Sequence, residues 1–204
     1  MIIKNFINKT QNNKSPSPED WNKSINPFAI EIINKLQDHN HEAYLVGGCV
    51  RDLLVNIKPK DFDIATSAEP KEIRKIFKAS RIIGKRFQLV HVYSGKQIIE
   101  VATFRAGFDK DNTSTENDLI KDDAGKIIRD NIWGSIEDDC NRRDFSINAI
   151  YFCPISSKFK DFHDGIRHVK EKKIISIGDP LYRFEEDPVR SLRAIRFATK
   201  LNFK

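Results

Sequence analysis

The sequence predicts an α+β domain in which a sheet presents the chemistry and helices cover it. Three patterns predict this class. Residues 44–66, YLVGGCVRDLLVNIKPKDFDIAT, give a strand, a glycine bend, a helix and a second strand in one compact unit. Residues 87–93 and 97–104 are β-rich runs on either side of Ser94, Gly95 and Lys96, the pattern of a hairpin. Residues 25–39 and 70–77 carry apolar side chains at helical spacing, so each offers one face to a sheet.

The 204 residues suffice for one solid core and part of a second unit, and 39% hydrophobic content with 14 Phe supplies the apolar material. Lys and Arg number 35 against 29 acidic residues, a net charge of +6, which suits a polyanionic partner without identifying one. Cys49, Cys140 and Cys153 are an odd number with no C-x-x-C spacing, so neither a disulfide framework nor a zinc knuckle is indicated. No apolar run approaches the roughly 18 residues of a membrane span, and the first residues lack the apolar core of a secretion signal. The expectation is a cytoplasmic protein without a membrane partner.

Residues 1–24 are rich in Asn, Lys, Ser and Pro and are predicted as a disordered basic arm. A head domain is predicted over 25–178. It opens with a helix whose Ile30, Ile33 and Leu36, with Ile32 beside them, turn toward the sheet. In the central unit Gly47 and Gly48 can take positive φ and let a phosphate approach bare backbone N–H groups. Val50, Leu53 and Leu54 then mark one helical face, and Arg51 near the helix start can meet an anion. Lys58, Pro59 and Lys60 end that helix, and residues 61–65 alternate as a strand. Residues i and i+2 of a strand share a face, with Cα atoms roughly 6.5 Å apart. Asp61 and Asp63 can thus converge on a pair of divalent cations, the usual device for displacement at phosphorus; the plain alternative is a solvated strand face.

Further on, Ser67 to Pro70 open a helix with Ile73, Ile76 and Phe77 inward. In the hairpin, Glu100 stands among Ile98, Ile99 and Val101, so it either meets the cations of Asp61 and Asp63 or faces water on an edge strand. Lys85 and Arg86 are adjacent cations that either touch a polyanion or form a solvated turn. Residues 106–131 are polar and charged, predicted as a flap that closes over substrate or as plain disorder. In residues 141–151, NRRDFSINAIY, the two guanidiniums suit phosphate oxygens, Asp144 can cap a turn or face the cations, and Asn148 shares its face if the segment is helical. Asp164-Gly165 marks a turn, residues 174–177 form a β-rich run, and His163 and His168 read as surface histidines. A neck is predicted to start at 179–204, with a helix opening at Asp187 and Pro188, Val189, Leu192 and Ile195 inward, and Arg190, Arg193 and Arg196 as a basic edge.

GGCVRDLLV followed by DFDIAT, then NRRDFSINAIY, then EDPVR, resembles the bacterial poly(A) polymerase and CCA-adding tRNA nucleotidyltransferase family over about 25–204. The resemblance implies a polymerase-β-like nucleotidyltransferase head with a mixed β-sheet and flanking helices, followed by the start of a helical neck that is truncated here. It implies Mg²⁺, or Mn²⁺, on Asp61 and Asp63, with Asp144 or Glu100 as the third catalytic carboxylate and Asp144 ranked first. It assigns nucleotide binding to Gly47, Gly48, Arg51, Asp52, Arg143 and Asn148, base reading to Asp187 and Arg190, and adds Arg193 and Arg196 on the same helix. Residues 82–92, IIGKRFQLVHV, resemble the stretch that separates poly(A) polymerases from their relatives. The implied activity is template-independent addition of AMP from ATP to an RNA 3′ end. The runner-up is CCA addition to tRNA, and the reading from another class is a catalytically silent nucleotide- or RNA-binding module.

Overall fold

The computed structural model describes residues 20–84, 87–106, 119–121, 127–130 and 132–204. Its frame is a seven-stranded sheet of order β3-β4-β5-β2-β1-β8-β9, built from Ala43–Val46 (β1), Asp63–Thr66 (β2), Ser80–Ile83 (β3), Leu89–Ser94 (β4), Gln97–Thr103 (β5), Ile150–Cys153 (β8) and Lys158–Asp161 (β9). A separate ribbon joins Leu119–Lys121 (β6) to Ile127–Asp130 (β7). The large sheet is mixed, as expected: β2 runs parallel to β5, and the other pairs are antiparallel.

Helix Pro27–Asp38 (α1) forms where the spacing predicts. The Asn26 side chain accepts from the Phe28 amide at 2.9 Å, Pro27 occupies the first turn, and Ala29, Ile32, Ile33 and Leu36 are buried. Gly47, at φ 79°, turns β1 into helix Gly48–Leu54 (α2), a conformation that a residue with a Cβ adopts only under strain. A capping box between Glu69 and Glu72 starts helix Pro70–Ile76 (α3), whose Ile73 is buried. These helices share one core with the inward side chains Leu45, Ile64, Val90, Val92, Ile99, Val101 and Phe152. Burial of each such side chain contributes roughly 1.5–3 kcal/mol.

The opposite face of the sheet carries a smaller cluster of Val46, Ala65, Phe104, Tyr151 and Ala149, closed by Ile136 and Cys140 of helix Ile136–Asn141 (α4). Over β4 and β5 that face is only partly covered: Ile98 and Glu100 are exposed, and His91 and Tyr93 are half-buried.

Several expectations are corrected. The last residues of the arm expected over 1–24 belong to the core: Asp20–Lys23 is a 3-10 turn whose Trp21 is buried edge-on against Phe152 and Phe159. The predicted strand at 61–65 begins at Asp63, leaving Asp61 just ahead of it. The flap expected over 106–131 contains the β6–β7 ribbon; 107–118, 122–126 and 131 lie outside the described residues, as do Lys85 and Arg86. The run at 174–177 is no strand. A single bridge pairs Ser176 with Phe145, and amide donations from Ser146 to Ile175 and from Ile177 to Asp144 pin the 144–146 backbone. His168 lies in helix Gly165–Lys170 (α5) and is buried at 2.8 Å from the Ser146 hydroxyl, so it fastens the same segment from the other side. Cys49, Cys140 and Cys153 are free and buried.

Residues 179–204 carry two helices, Pro180–Glu186 (α6) and Val189–Leu201 (α7). Val189, Leu192 and Ile195, expected inward, are exposed at 56%, 65% and 64%. The side of α7 that meets the head bears Phe197, buried edge-on against Phe145, and the arginines. No helix among the described residues is long and apolar enough to cross a membrane.

A Cβ on Gly165 would lie 2.3 Å from the Ser146 carbonyl oxygen and 2.7 Å from an Ile150 side-chain carbon, so no side chain fits where α5 meets the 144–148 segment. Gly165→Ala is expected to lower stability by about 1–3 kcal/mol, the scale of overpacking, as a leftward shift of the urea unfolding midpoint.

Candidate active site

The glycine bend between β1 and α2, the 143–148 segment and α7 enclose a cavity of about 700 Å³. Asp63 stands on its lip, and Gly47, Gly48, Arg51, Arg143, Asp144 and Asn148 form the head-side wall. Asp187, Arg190, Arg193, Arg196 and Lys200 come from the neck side. The helical spacing of these cations puts them on one edge of α7, and that edge faces inward across the cavity. Asp52 and Glu100 do not line it.

Two guanidiniums on the head side are held by their neighbours. Arg51 is almost fully buried. It donates through Nε and Nη2 to the Asp52 carboxylate at 3.0 and 2.6 Å, and through Nη1 to Asn148 Oδ1 at 2.6 Å, while Phe197 covers its face. Asp52 therefore acts on Arg51 and not on the cavity itself. Arg143 donates Nε to the Tyr151 hydroxyl at 3.0 Å, Nη2 to Asp139 at 3.0 Å and Nη1 to the Asn148 carbonyl at 3.3 Å. Tyr151 also donates to Asp139 at 2.7 Å. Burial works against the charge on Arg143, but Tyr151 and Asp139 outweigh it and hold the guanidinium pKa above its ordinary value. Asp139 precedes Arg143 by one helical turn, so that half of the brace was readable as an i, i+4 pair. The Tyr151 half depends on how β8 lies in the sheet, which no local pattern reveals.

Asp144 and Glu100 have different company. Asp144 is nearly buried; its Oδ2 accepts from Arg193 Nε at 2.6 Å and its Oδ1 from the Phe145 amide at 2.8 Å, with the Asn148 amide at 3.4 Å. Glu100 is the register partner of Asp63 across the parallel β2–β5 pair and touches His91 Nε2 at 3.3 Å. Asp63 is open on the cavity side, yet its pKa is pushed up to about 6, first by loss of water around the carboxyl, then by repulsion from Glu100 and Asp61, against the pull of Arg143. Asp187 Oδ1 accepts from the Val189 amide at 3.1 Å, and Arg190 donates to Glu186 at 2.7 Å. Glu186 also receives Arg183, whose other nitrogen donates to the carbonyls of Arg142 and Arg143 at 2.6 and 3.0 Å.

Among the described residues no three His, Cys, Asp or Glu side chains converge closely enough to hold a metal on their own. A hard divalent cation held by one or two carboxylates, with phosphate and water completing its shell, nevertheless fits. Asp63 and Glu100 offer oxygen donors on one face, and the repulsion that raises Asp63 is what such a cation would relieve.

Removing Asp139 would leave the buried side of Arg143 without its anion. Asp139→Ala is expected to cost about 3 kcal/mol of stability, and Tyr151→Phe about 1 kcal/mol, both read from chemical denaturation.

Comparison with known proteins agrees with this geometry. Residues 43–175 match the model of the Poly A polymerase head domain family. The chain is 46% identical over 187 residues to Poly(A) polymerase I of Haemophilus influenzae, covering 91% of this chain and 40% of that protein. It is 38% identical over 179 residues to the CCA-adding enzyme of Lactococcus lactis subsp. cremoris, covering 86% and 42%. The crystal structure of Bacillus stearothermophilus CCA-adding enzyme in complex with CTP superposes with a TM-score of 0.69 at 33% identity, over 88% of this chain and 41% of that one. The chain thus spans about two fifths of the length of these relatives. With residues 43–175 matched by that model and a mixed sheet and glycine bend where the sequence predicts them, the chain belongs to the poly(A) polymerase head-domain family of nucleotidyltransferases.

Proposed function

We propose that this chain carries the catalytic head and first neck helices of a template-independent RNA nucleotidyltransferase that transfers AMP from ATP to an RNA 3′ end. The observation that carries the reading is the pairing of Asp63 with Glu100 at the lip of a cavity walled by glycine backbone and braced guanidiniums. Gly47 and Gly48 leave room for a polyphosphate beside the chain, and Arg51 and Arg143 stand ready to meet its oxygens without losing side-chain freedom. Arg193, Arg196 and Lys200 add positive charge from the far wall, and Asp187 with Arg190 reads the base. Asp61 and Asp63 would hold Mg²⁺ or Mn²⁺, with Glu100 as the third carboxylate in place of Asp144, whose charge is taken up by Arg193. Bound there, the ions supply charge neutralisation and acidify the attacking hydroxyl. In the transfer the RNA 3′ oxygen bonds to the α-phosphorus, the bond to the bridging oxygen breaks, pyrophosphate leaves, and the hydroxyl proton passes to solvent.

Preference for ATP is favoured by the closer likeness to Poly(A) polymerase I, 46% identical against 38% for the CCA-adding enzyme. CCA addition to tRNA is the second reading, supported by solved relatives that are CCA-adding enzymes in complex with CTP and with ATP. The reaction belongs in the cytoplasm, and the free cysteines agree with a reducing compartment.

With each labelled nucleoside triphosphate in turn and either tRNA or a generic RNA, ATP is expected to be incorporated first and alone; incorporation of CTP ahead of ATP would select the second reading. Asp61→Ala and Asp63→Ala are each expected to lower transfer roughly a thousandfold with an unchanged circular dichroism spectrum, and chelation by EDTA to abolish it. Glu100→Gln is expected to cost far more activity than Asp144→Asn. The reverse order would return the third carboxylate to Asp144.

A further inference from the structure

One row of paired residues crosses the sheet on its open face. Arg81 of β3 lies beside His91 of β4, His91 beside Glu100 of β5, and Glu100 beside Asp63 of β2. Beyond Asp63 the row continues through Val46 to Tyr151, which braces Arg143. The alternate side chains of β4 and β5, Val90, Val92, Ile99 and Val101, are buried on the other face, so the row points outward as a set. With strands about 4.8 Å apart, Arg81 stands three strands, or about 14 Å, from Asp63.

The carboxylates therefore have two unlike neighbourhoods. On the side of β1 and β8 lies the cavity, with the glycines, Arg51 and Arg143. On the side of β5, β4 and β3 lies a strip that the cavity does not include, with Glu100 and Arg81 exposed and His91 and Tyr93 half-buried between them. It bears Glu100, then His91 with Tyr93 edge-on to it at 6.2 Å, then the exposed Arg81. In phosphoryl transfer the attacking and leaving oxygens lie roughly in line on opposite sides of phosphorus. With the polyphosphate seated against the glycines and arginines, the attacking hydroxyl arrives from across β5. The strip in its path has aromatic rings for a base and a guanidinium for a phosphate, the combination that grips single-stranded RNA. The carboxylates facing the strip are Glu100 and Asp63, the groups a bound cation would neutralise.

We propose that Arg81, His91 and Tyr93 form the seat of the acceptor RNA's 3′-terminal residues, with Arg81 on the backbone phosphate and His91 and Tyr93 against a base. This rests on the transferase reading, because that reading fixes which side of Asp63 the pyrophosphate leaves from. His91 holds a second post, since its contact with the Glu100 carboxylate ties the RNA seat to the metal-binding row.

The test separates RNA binding from chemistry. A 5′-fluorescein oligoadenylate ending in 3′-deoxyadenosine is titrated against wild type, Arg81→Ala, Arg81→Lys and Tyr93→Ala, with a fluorescent ATP analogue and Mg²⁺ titrated in parallel. Arg81→Ala and Tyr93→Ala are each expected to weaken RNA binding about tenfold, Arg81→Lys to restore most of the loss, and affinity for the ATP analogue to stay unchanged. RNA affinity within twofold of wild type in both alanine variants would overturn the proposal. An oligoadenylate carrying a 3′-terminal 4-thiouridine, crosslinked to the unmodified chain and mapped by mass spectrometry, is expected to mark β4; crosslinks confined to α7 would also overturn it. Failure of the transferase reading looks different: no AMP transfer by wild type, with the RNA-binding losses still present.

Discussion

The molecule turns on the parallel pairing of β2 with β5. The other pairs in the large sheet are antiparallel, but a parallel pair needs a crossover, here supplied by α3 and the β3–β4 hairpin arm. That crossover brings Glu100 level with Asp63. Two carboxylates placed side by side on a half-covered sheet repel each other and lose water. A chain that keeps such an arrangement stores electrostatic cost at one spot, which a divalent cation and its phosphate ligands can discharge.

Around this spot the polar groups are committed in advance. Asp52, Arg51, Asn148, Asp144 and Arg193 form a continuous chain of hydrogen bonds from α2 to α7, and Asp139 with Tyr151 fixes Arg143 from behind. The buried charges are thereby partnered, which is the condition under which burial of charge is tolerated. The same partners hold the guanidiniums still, so a polyphosphate meets donors whose ordering cost was met during folding.

Much of this was legible where the signal is local. The glycine bend, α1, α2, α3 and the β4–β5 hairpin follow from apolar spacing, turn formers and caps within a dozen residues. What depended on distant partners was not. β8, with its four buried residues Ile150–Cys153, has no alternation to betray it, and β9 and β3 are short edge strands with charged side chains. That Glu100 stands level with Asp63 depends on register between strands separated by α3 and a hairpin, which no motif records. In α7 the amphipathic pattern was visible but its sense was inverted, because the inner wall there is a charged cavity and not an apolar core.

The clasp between neck and head has a practical corollary for anyone building hybrid enzymes. Arg183 caps two carbonyls of the loop that carries Arg143, and Arg193 is the ionic partner of Asp144 in that loop. A chimera joining this head to a foreign neck would leave Asp144 buried without a counter-charge and two carbonyls bare unless both arginines travelled with the graft. A cut at Gly178 would therefore part residues that the contacts of Arg183 and Arg193 tie together.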